Sequence, residues 1–179
     1  MSRRYIHIFC GVGMGKTSAA LGKGFREASS GKSVVLIRFL KKKHTCEREE
    51  FFKQLEPQIR LFRFEKFPQK YESLTEQEKE EENLNIKNGL NFARKVIQTE
   101  ECDVLILDEI LCLTDRGIVT IDELKKLIDQ LGSGMELYLT GTSRCEELWP
   151  YVDEVTEMTT PYRRTLDRHF CEEDLLPRR

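Results

Sequence analysis

The chain has 179 residues, 39% hydrophobic and 34% charged, a composition that fits one soluble domain spanning 1–179 and large enough for a substantial core. Lys and Arg number 29 against 31 Asp and Glu, so a net charge of −2 offers no basic excess for nucleic acid. No apolar run reaches the ~20 residues of a membrane span, no signal-peptide pattern opens the chain, and the six cysteines form no C-x-x-C pair, so a reducing, cytoplasmic setting without a membrane is expected.

An apolar strand, Tyr5 to Phe9, runs into Cys10-Gly11-Val12-Gly13-Met14-Gly15-Lys16-Thr17-Ser18 and then the helix-prone Ala19-Ala20-Leu21. Strand, glycine-rich loop, Gly-Lys-Thr and helix, in that order, is the layout of a phosphate-binding loop. Glycines let the backbone approach a polyphosphate, and successive N–H groups and the positive helix end then face the anion. Lys16 would add a mobile charge, and Thr17 a hydroxyl for magnesium (or manganese). The first glycine of the usual pattern would stand at Cys10; here the glycines fall at 11, 13 and 15, a variant spacing. The helix is expected from Lys16 to about Ser30, with Leu21, Phe25 and Ala28 inward and Ser29-Ser30-Gly31 as its stop.

Val34 to Ile37, within Ser33 to Phe39, is a continuous aliphatic run suited to a strand buried on both faces. A basic loop, Lys41 to Thr45, follows, then a short helix from Glu47 to Glu56 and a third strand, Ile59 to Phe64. Thr75-Glu76-Gln77-Glu78 is a capping box opening a long helix. Its acidic start, Glu76 to Glu82, should project into water, while Ile86, Leu90, Ala93 and Ile97 pack. Asp103 to Glu109 is an apolar strand ending in two carboxylates. A second capping box, Thr120 to Glu123, starts a helix with Ile121, Leu124, Leu127, Ile128 and Leu131 inward and Gly132 as its cap. Glu136 to Thr140 is a fifth strand, Ser143 to Glu146 can cap a short helix around Leu148, and Val152 to Met158 is a last short strand. From Thr159 the charged tail has no clear period.

This alternation predicts an α/β fold: a P-loop NTPase-like open, mostly parallel sheet of five to six strands with helices on both faces. Ligands of such sheets lie beyond the carboxyl ends of the strands, which would gather Gly11 to Ser18, Arg38, Asp108, Glu109 and Thr140 to Arg144 there. The apolar run into Asp108 matches the second motif of phosphate-loop proteins, whose acid serves magnesium directly or through water. These residues predict a magnesium–triphosphate site. They leave open whether the bond broken is by hydrolysis, phosphoryl transfer or displacement at the sugar.

Tyr5-Ile6-His7-Ile8 followed by Gly11-x-Gly13-x-Gly15-Lys16-Thr17-Ser18-Ala19-Ala20 resembles the ATP:corrinoid adenosyltransferases, the cob(I)yrinic acid a,c-diamide / cob(I)alamin adenosyltransferases. The resemblance continues through Leu36 to Lys41, Asp103 to Glu109, Thr140-Gly141 and Val152 to Met158. It implies transfer of the 5′-deoxyadenosyl group of ATP to the cobalt of a reduced corrinoid, with triphosphate released and the nucleotide reversed relative to other phosphate-loop proteins. By motif match Gly11, Val12, Gly13, Met14, Gly15, Lys16, Thr17 and Ser18 would hold the nucleotide, Lys16 and Glu109 would be catalytic, and Thr17, Asp108 and Glu109 would serve the metal. Arg26 matches a family arginine. The resemblance further implies a homodimer and a flavoprotein reductant. The chain departs from the family at Arg38, usually glutamine, and after the third strand, where a Gly-Phe-Thr-Trp segment is replaced and Phe64 or Phe67 would have to supply the corrinoid-facing aromatic. It also has Thr140-Gly141-Thr142 for Thr-Gly-Arg, and a tail without the family's His-x-Phe. The alternatives are another P-loop kinase or ATPase, or a non-catalytic nucleotide- or corrinoid-binding relative.

Overall fold

The computed structural model describes residues 3–40 and 49–162; the predicted basic loop, the first residues of the helix predicted from Glu47, and the tail from 163 lie outside them. Among the described residues, strands β1 (Tyr5–Cys10), β2 (Val34–Phe39), β3 (Ile59–Phe64), β4 (Val104–Asp108), β5 (Glu136–Thr140) and β6 (Glu154–Glu157) form one sheet. Its order is β3-β2-β4-β5-β1-β6, and every pairing is parallel. β2 and β4 are buried along their whole length, as their unbroken aliphatic runs predict, while the edge strands β3 and β6 are half-buried. Among the described residues no helix is long and apolar enough to cross a membrane.

Alternation along the strands sorts side chains onto two faces. Val35, Ile37, Phe39, Leu105, Leu107, Leu137 and Leu139 pack under α3 (Glu76–Gln98) and α5 (Ile121–Asp129), with Leu113 of the short helix α4 (Cys112–Asp115). Val34, Leu36, Ile106, Phe9 and Tyr138 pack under α1 (Lys16–Ser29) and Phe52 of α2 (Glu49–Gln54). The same parity puts Arg38, Asp108 and Thr140 on the α1 face at the carboxyl edge, and His7 on that face further back. β5 stands between β1 and β4, so the loop strand and the Asp108 strand are not neighbours.

Both capping boxes form: Thr75 Oγ1 accepts from Glu78 N, Thr120 Oγ1 accepts from Glu123 N, and each glutamate returns the bond. Other expectations need correction. The buried face of α1 is Lys16, Ala20, Leu21 and Gly24, and Phe25 is exposed. A Cβ at Gly24 would stand 3.0 Å from Ile106, so small residues bring α1 close to the sheet and Phe25 is turned to the rim. Glu82 does not project into water; it is buried and accepts the N–H groups of Lys66 and Phe67, tying the loop after β3 to α3. α5 ends at Gln130 in ordinary right-handed geometry, and Gly132 instead makes room for Glu100. Ser143 caps no helix: its hydroxyl donates to Asp115, and Cys145 precedes the 3₁₀ turn Glu146–Tyr151. α4, a single turn after β4, carries too few residues to show a period in the sequence.

Candidate nucleotide site

The loop between β1 and α1 has phosphate-loop geometry. Gly15 precedes the first helical residue at φ 100°, a left-handed conformation that glycine adopts without penalty. Gly13 lies so close to the chain after β6 that a Cβ would come within 2.6 Å of the Met158 carbonyl. Val12 and Met14 turn their side chains outward, leaving their backbone to line the loop. The first N–H groups of α1 have no intrahelical acceptors and carry the positive end of the helix dipole. Lys16 is buried, with Nζ donating to the Gly13 carbonyl at 2.6 Å, folded back over the loop it would serve. Gly13 N donates to Met158 O at 2.8 Å and Met14 N to Thr160 Oγ1 at 3.3 Å, so the segment after β6 lies against the loop.

Asp108 ends β4, fully buried, and three donors converge on it. Thr17 Oγ1 donates to Oδ1 at 2.8 Å, Thr140 Oγ1 to the same oxygen at 2.7 Å, and Arg38 Nε to Oδ2 at 2.9 Å. Register explains the meeting: Arg38 on β2 stands opposite Asp108 on β4, and both share the α1 face with Thr140. Thr17 therefore reaches over β5 to a carboxylate two strands from its own.

Glu109 follows at φ 66°, a region a non-glycine residue occupies at a cost of roughly 1–3 kcal/mol, and such strain gathers at functional sites. Its N–H donates to Thr140 Oγ1 at 2.9 Å, and the turn sends its side chain to a cleft of about 430 Å³ lined also by Leu40, Cys112, Arg116 and Thr142. Cys112 Sγ donates to Glu109 Oε2 at 2.9 Å. Burial, and then the Glu109 carboxylate, push the Cys112 thiol above the ordinary cysteine range, so it stays protonated as that donor.

The profile of ATP:corrinoid adenosyltransferase BtuR/CobO/CobP matches residues 2–169. The chain belongs to that family. A Nostoc sp. (strain PCC 7120 / SAG 25.82 / UTEX 2576) protein, the uncharacterized all2391, is 29% identical over 168 residues, which is 86% of this chain but 43% of the Nostoc protein; the chain thus spans less than half the length of that relative. Among solved structures, the KaiC-like protein PH0186 of Pyrococcus horikoshii OT3 superposes with a TM-score of 0.58 at 17% identity, covering 89% of this chain and 74% of that one. That likeness supports the P-loop NTPase-like fold.

Set against the family expectations, the structure brings Gly11 to Ser18, Asp108 and Glu109 to the carboxyl edge of the sheet, and four further residues make other contacts. Arg26 sits ten residues up α1, roughly 15 Å from Lys16 along the axis, exposed and paired with Glu27. Phe64 packs into the core against Phe39 and Phe92, below α3. Phe67 is half-buried on the next loop, beside Leu40 and Tyr71. Arg144 pairs with Glu146 and Glu157 and stacks on Trp149. Sequence reasoning missed the roles of Cys112 and Met158, which carry no motif; Thr140 and Arg38 were recognisable as ends of buried strands.

The oxygen donors fit magnesium. The Thr17 hydroxyl donates to Asp108, and Glu109 is a half-buried carboxylate at the cleft wall. Among the described residues no three His, Cys, Asp or Glu gather into a protein-only metal cage. That suits an ion that takes one or two protein oxygens and completes its shell with phosphate and water.

Proposed function

We propose that this chain transfers the 5′-deoxyadenosyl group of ATP to the cobalt of a reduced corrinoid, releasing triphosphate, in making or salvaging an adenosylated corrinoid. The family match over residues 2–169 carries the reading, and the loop at the head of α1 supports it. In the reaction the cobalt(I) electron pair of the substrate attacks C5′. The Co–C bond forms as C5′–O5′ breaks, and the bond pair leaves with triphosphate. The leaving group gains charge beside its α-phosphate. The amides at the head of α1, Gly15 to Ser18, and the Lys16 ammonium would stabilise that charge more in the transition state than in the ground state. Lys16 must swing from the Gly13 carbonyl to the phosphates, a short rotation of a flexible stem. Magnesium, held by Thr17 and Glu109, would supply further neutralisation of the phosphates. The cleft lined by Glu109, Cys112 and Thr142 would take the second reactant. A cytoplasmic single-domain protein, acting as a homodimer and supplied with electrons by a flavoprotein, completes the proposal.

The test is anaerobic incubation with ATP and chemically reduced cobalamin or its diamide precursor. A light-sensitive cobalt–carbon product with one triphosphate per product is the expected outcome; ADP or orthophosphate in its place would refute the reading. Binding without turnover is a second reading, favoured by the position of Phe64. That ring is partly buried and packs against Phe39 and Phe92, where it has less surface to offer a corrinoid. Titrations with both ligands and no product would select it.

A further inference from the structure

The loop after β3 carries an acid whose burial is only half explained. The Glu65 side chain is 5% exposed. Its Oε1 accepts from Arg63 Nη1 at 3.4 Å, while its buried Oε2 meets no hydrogen-bond donor among the described residues. An unmatched carboxylate oxygen in the interior costs more than an unmatched neutral group. Glu82 of α3 is buried as well, and its donors are all neutral: the amides of Lys66 and Phe67 and the Asn85 side chain. Both carboxylates line one cavity of about 10 Å³, room for a single water-sized occupant. We propose that Glu65 and Glu82 hold a hard metal cation of calcium size, which staples the loop after β3 onto α3.

Two carboxylates around one small dry space repel each other unless positive charge stands between them. Water in the cavity would give Glu65 Oε2 a hydrogen but no charge. A proton is the stronger rival: burial first pushes the Glu65 carboxyl above its ordinary range and Glu82 adds to that push, although Arg63 and Arg38 pull the other way. The donor set favours a metal. Carboxylate oxygens are what a hard cation takes, and Gln69 and Tyr71, which also line the cavity, carry neutral oxygens to complete a shell to which only two acids contribute. Size then selects the ion. Magnesium keeps several of its waters, for which the cavity has no room, whereas calcium exchanges most of them for roughly six to eight oxygens in flexible geometry. The same loop continues through Tyr71 to Glu72, which pairs with Arg116 at the wall of the cleft beside Glu109, and Leu40 lines both spaces. An ion under the loop therefore fixes one wall of that cleft, whatever reaction takes place there.

Terbium(III) is the probe, because it takes calcium's place and luminesces when an adjacent tyrosine ring passes it energy. The full chain, stripped of metal and free of nucleotide, is titrated with terbium and excited in the tyrosine band. Saturable emission is expected, dimmed by Tyr71→Phe. Glu65→Gln and Glu82→Gln keep the shape of the acids and an acceptor for the loop amides, and each weakens terbium binding roughly tenfold or more. Calcium displaces terbium and raises the melting temperature of wild type but not of Glu65→Gln; magnesium at the same concentration does neither. Equal terbium affinity in wild type and both glutamine variants overturns the inference, as does a wild-type melting temperature that calcium leaves unchanged. A Glu65→Gln chain that melts above wild type with and without calcium also overturns it, and assigns the cavity to a proton or a water. Displacement of terbium by magnesium as readily as by calcium overturns the choice of a calcium-sized ion.

Discussion

Helix α1 covers two buried polar clusters, and they meet the cost of burial in opposite ways. At its first turn Thr17 bonds Asp108, a carboxylate kept beside the Arg38 guanidinium. Less than two turns later, roughly 9 Å along the axis, Lys23 donates to His7 Nδ1 at 2.8 Å. That leaves Nε2–H to donate to Thr156 Oγ1 at 2.8 Å, while the ring stacks on Phe9. His7 is kept neutral. Burial first, and the Lys23 charge second, push its pKa down to about 4, against a weaker opposing pull from Glu154. In the first cluster opposite charges are buried together. In the second a neutral ring is buried and the charges, Lys23 and Glu154, stay at the rim with water (27% and 50% exposed). Of these two clusters, only the one at the loop edge holds charge in the dry interior. The other cluster works as packing with its hydrogen bonds satisfied.

The largest expected effect separates the two. Asp108→Ala removes the carboxylate that Arg38 faces in a place without solvent, and costs about 3–5 kcal/mol of stability. His7→Phe removes a neutral ring whose Lys23 partner can turn to water, and costs about 1–2 kcal/mol for the hydrogen bonds lost. Urea denaturation of the two variants measures both. Equal losses would break the distinction, since they would mean that Arg38 and Asp108 contribute no more than a neutral pair.

The site edge was more legible in sequence than the second cluster, for physical reasons. A phosphate loop must place glycines, lysine and threonine at fixed steps, so Gly11 to Ser18 announce themselves. β4 announces Asp108 and Glu109 because four apolar residues in a row need a buried strand and the acids mark its end. Parity along β2 even put Arg38 at that edge, but the partner of a buried arginine depends on strand order, and β5 between β1 and β4 is not written in any local pattern. The His7 cluster was illegible because its members come from β1, α1 and β6, and each looks like an ordinary surface or strand residue alone. Phe25 and Glu82 were misjudged for a related reason. Helical period gives a face but not its width, and Gly24 narrowed one while the loop amides of Lys66 and Phe67 drew Glu82 inward on the other.

Acid provides the next test. His7 binds its proton near 6.5 when unfolded and near 4 when folded, so between those values the unfolded chain holds more protons and stability falls as pH falls. The contribution is fully present above about pH 6.5 and is lost by about pH 4, on the order of 3 kcal/mol over the window. Glu27, Asp103 and Glu154, whose carboxyls are held below their usual range by hydrogen-bond partners, lose their contributions in the same direction at lower pH. His7→Phe isolates the histidine: the variant's stability should be flatter than wild type between pH 6.5 and 5. Parallel curves would mean that the ring is already protonated in the fold and that the two clusters both bury charge.

The smallest effect is the sharpest on mechanism. Lys23→Met removes both the like charge and the N–H that holds His7 Nδ1 as an acceptor, and each loss favours the protonated ring. The His7 pKa should therefore rise, measured by NMR titration of the ring, yet stay below the ordinary histidine value because burial, the larger cause, remains. ATP affinity should change by less than about twofold, because a rim charge 9 Å along the helix is screened by water on the way to the loop. A His7 pKa that does not move would assign the whole depression to burial. An ATP affinity that falls with it would show that α1 transmits strain from the second cluster to Thr17, so that the two clusters act as one device.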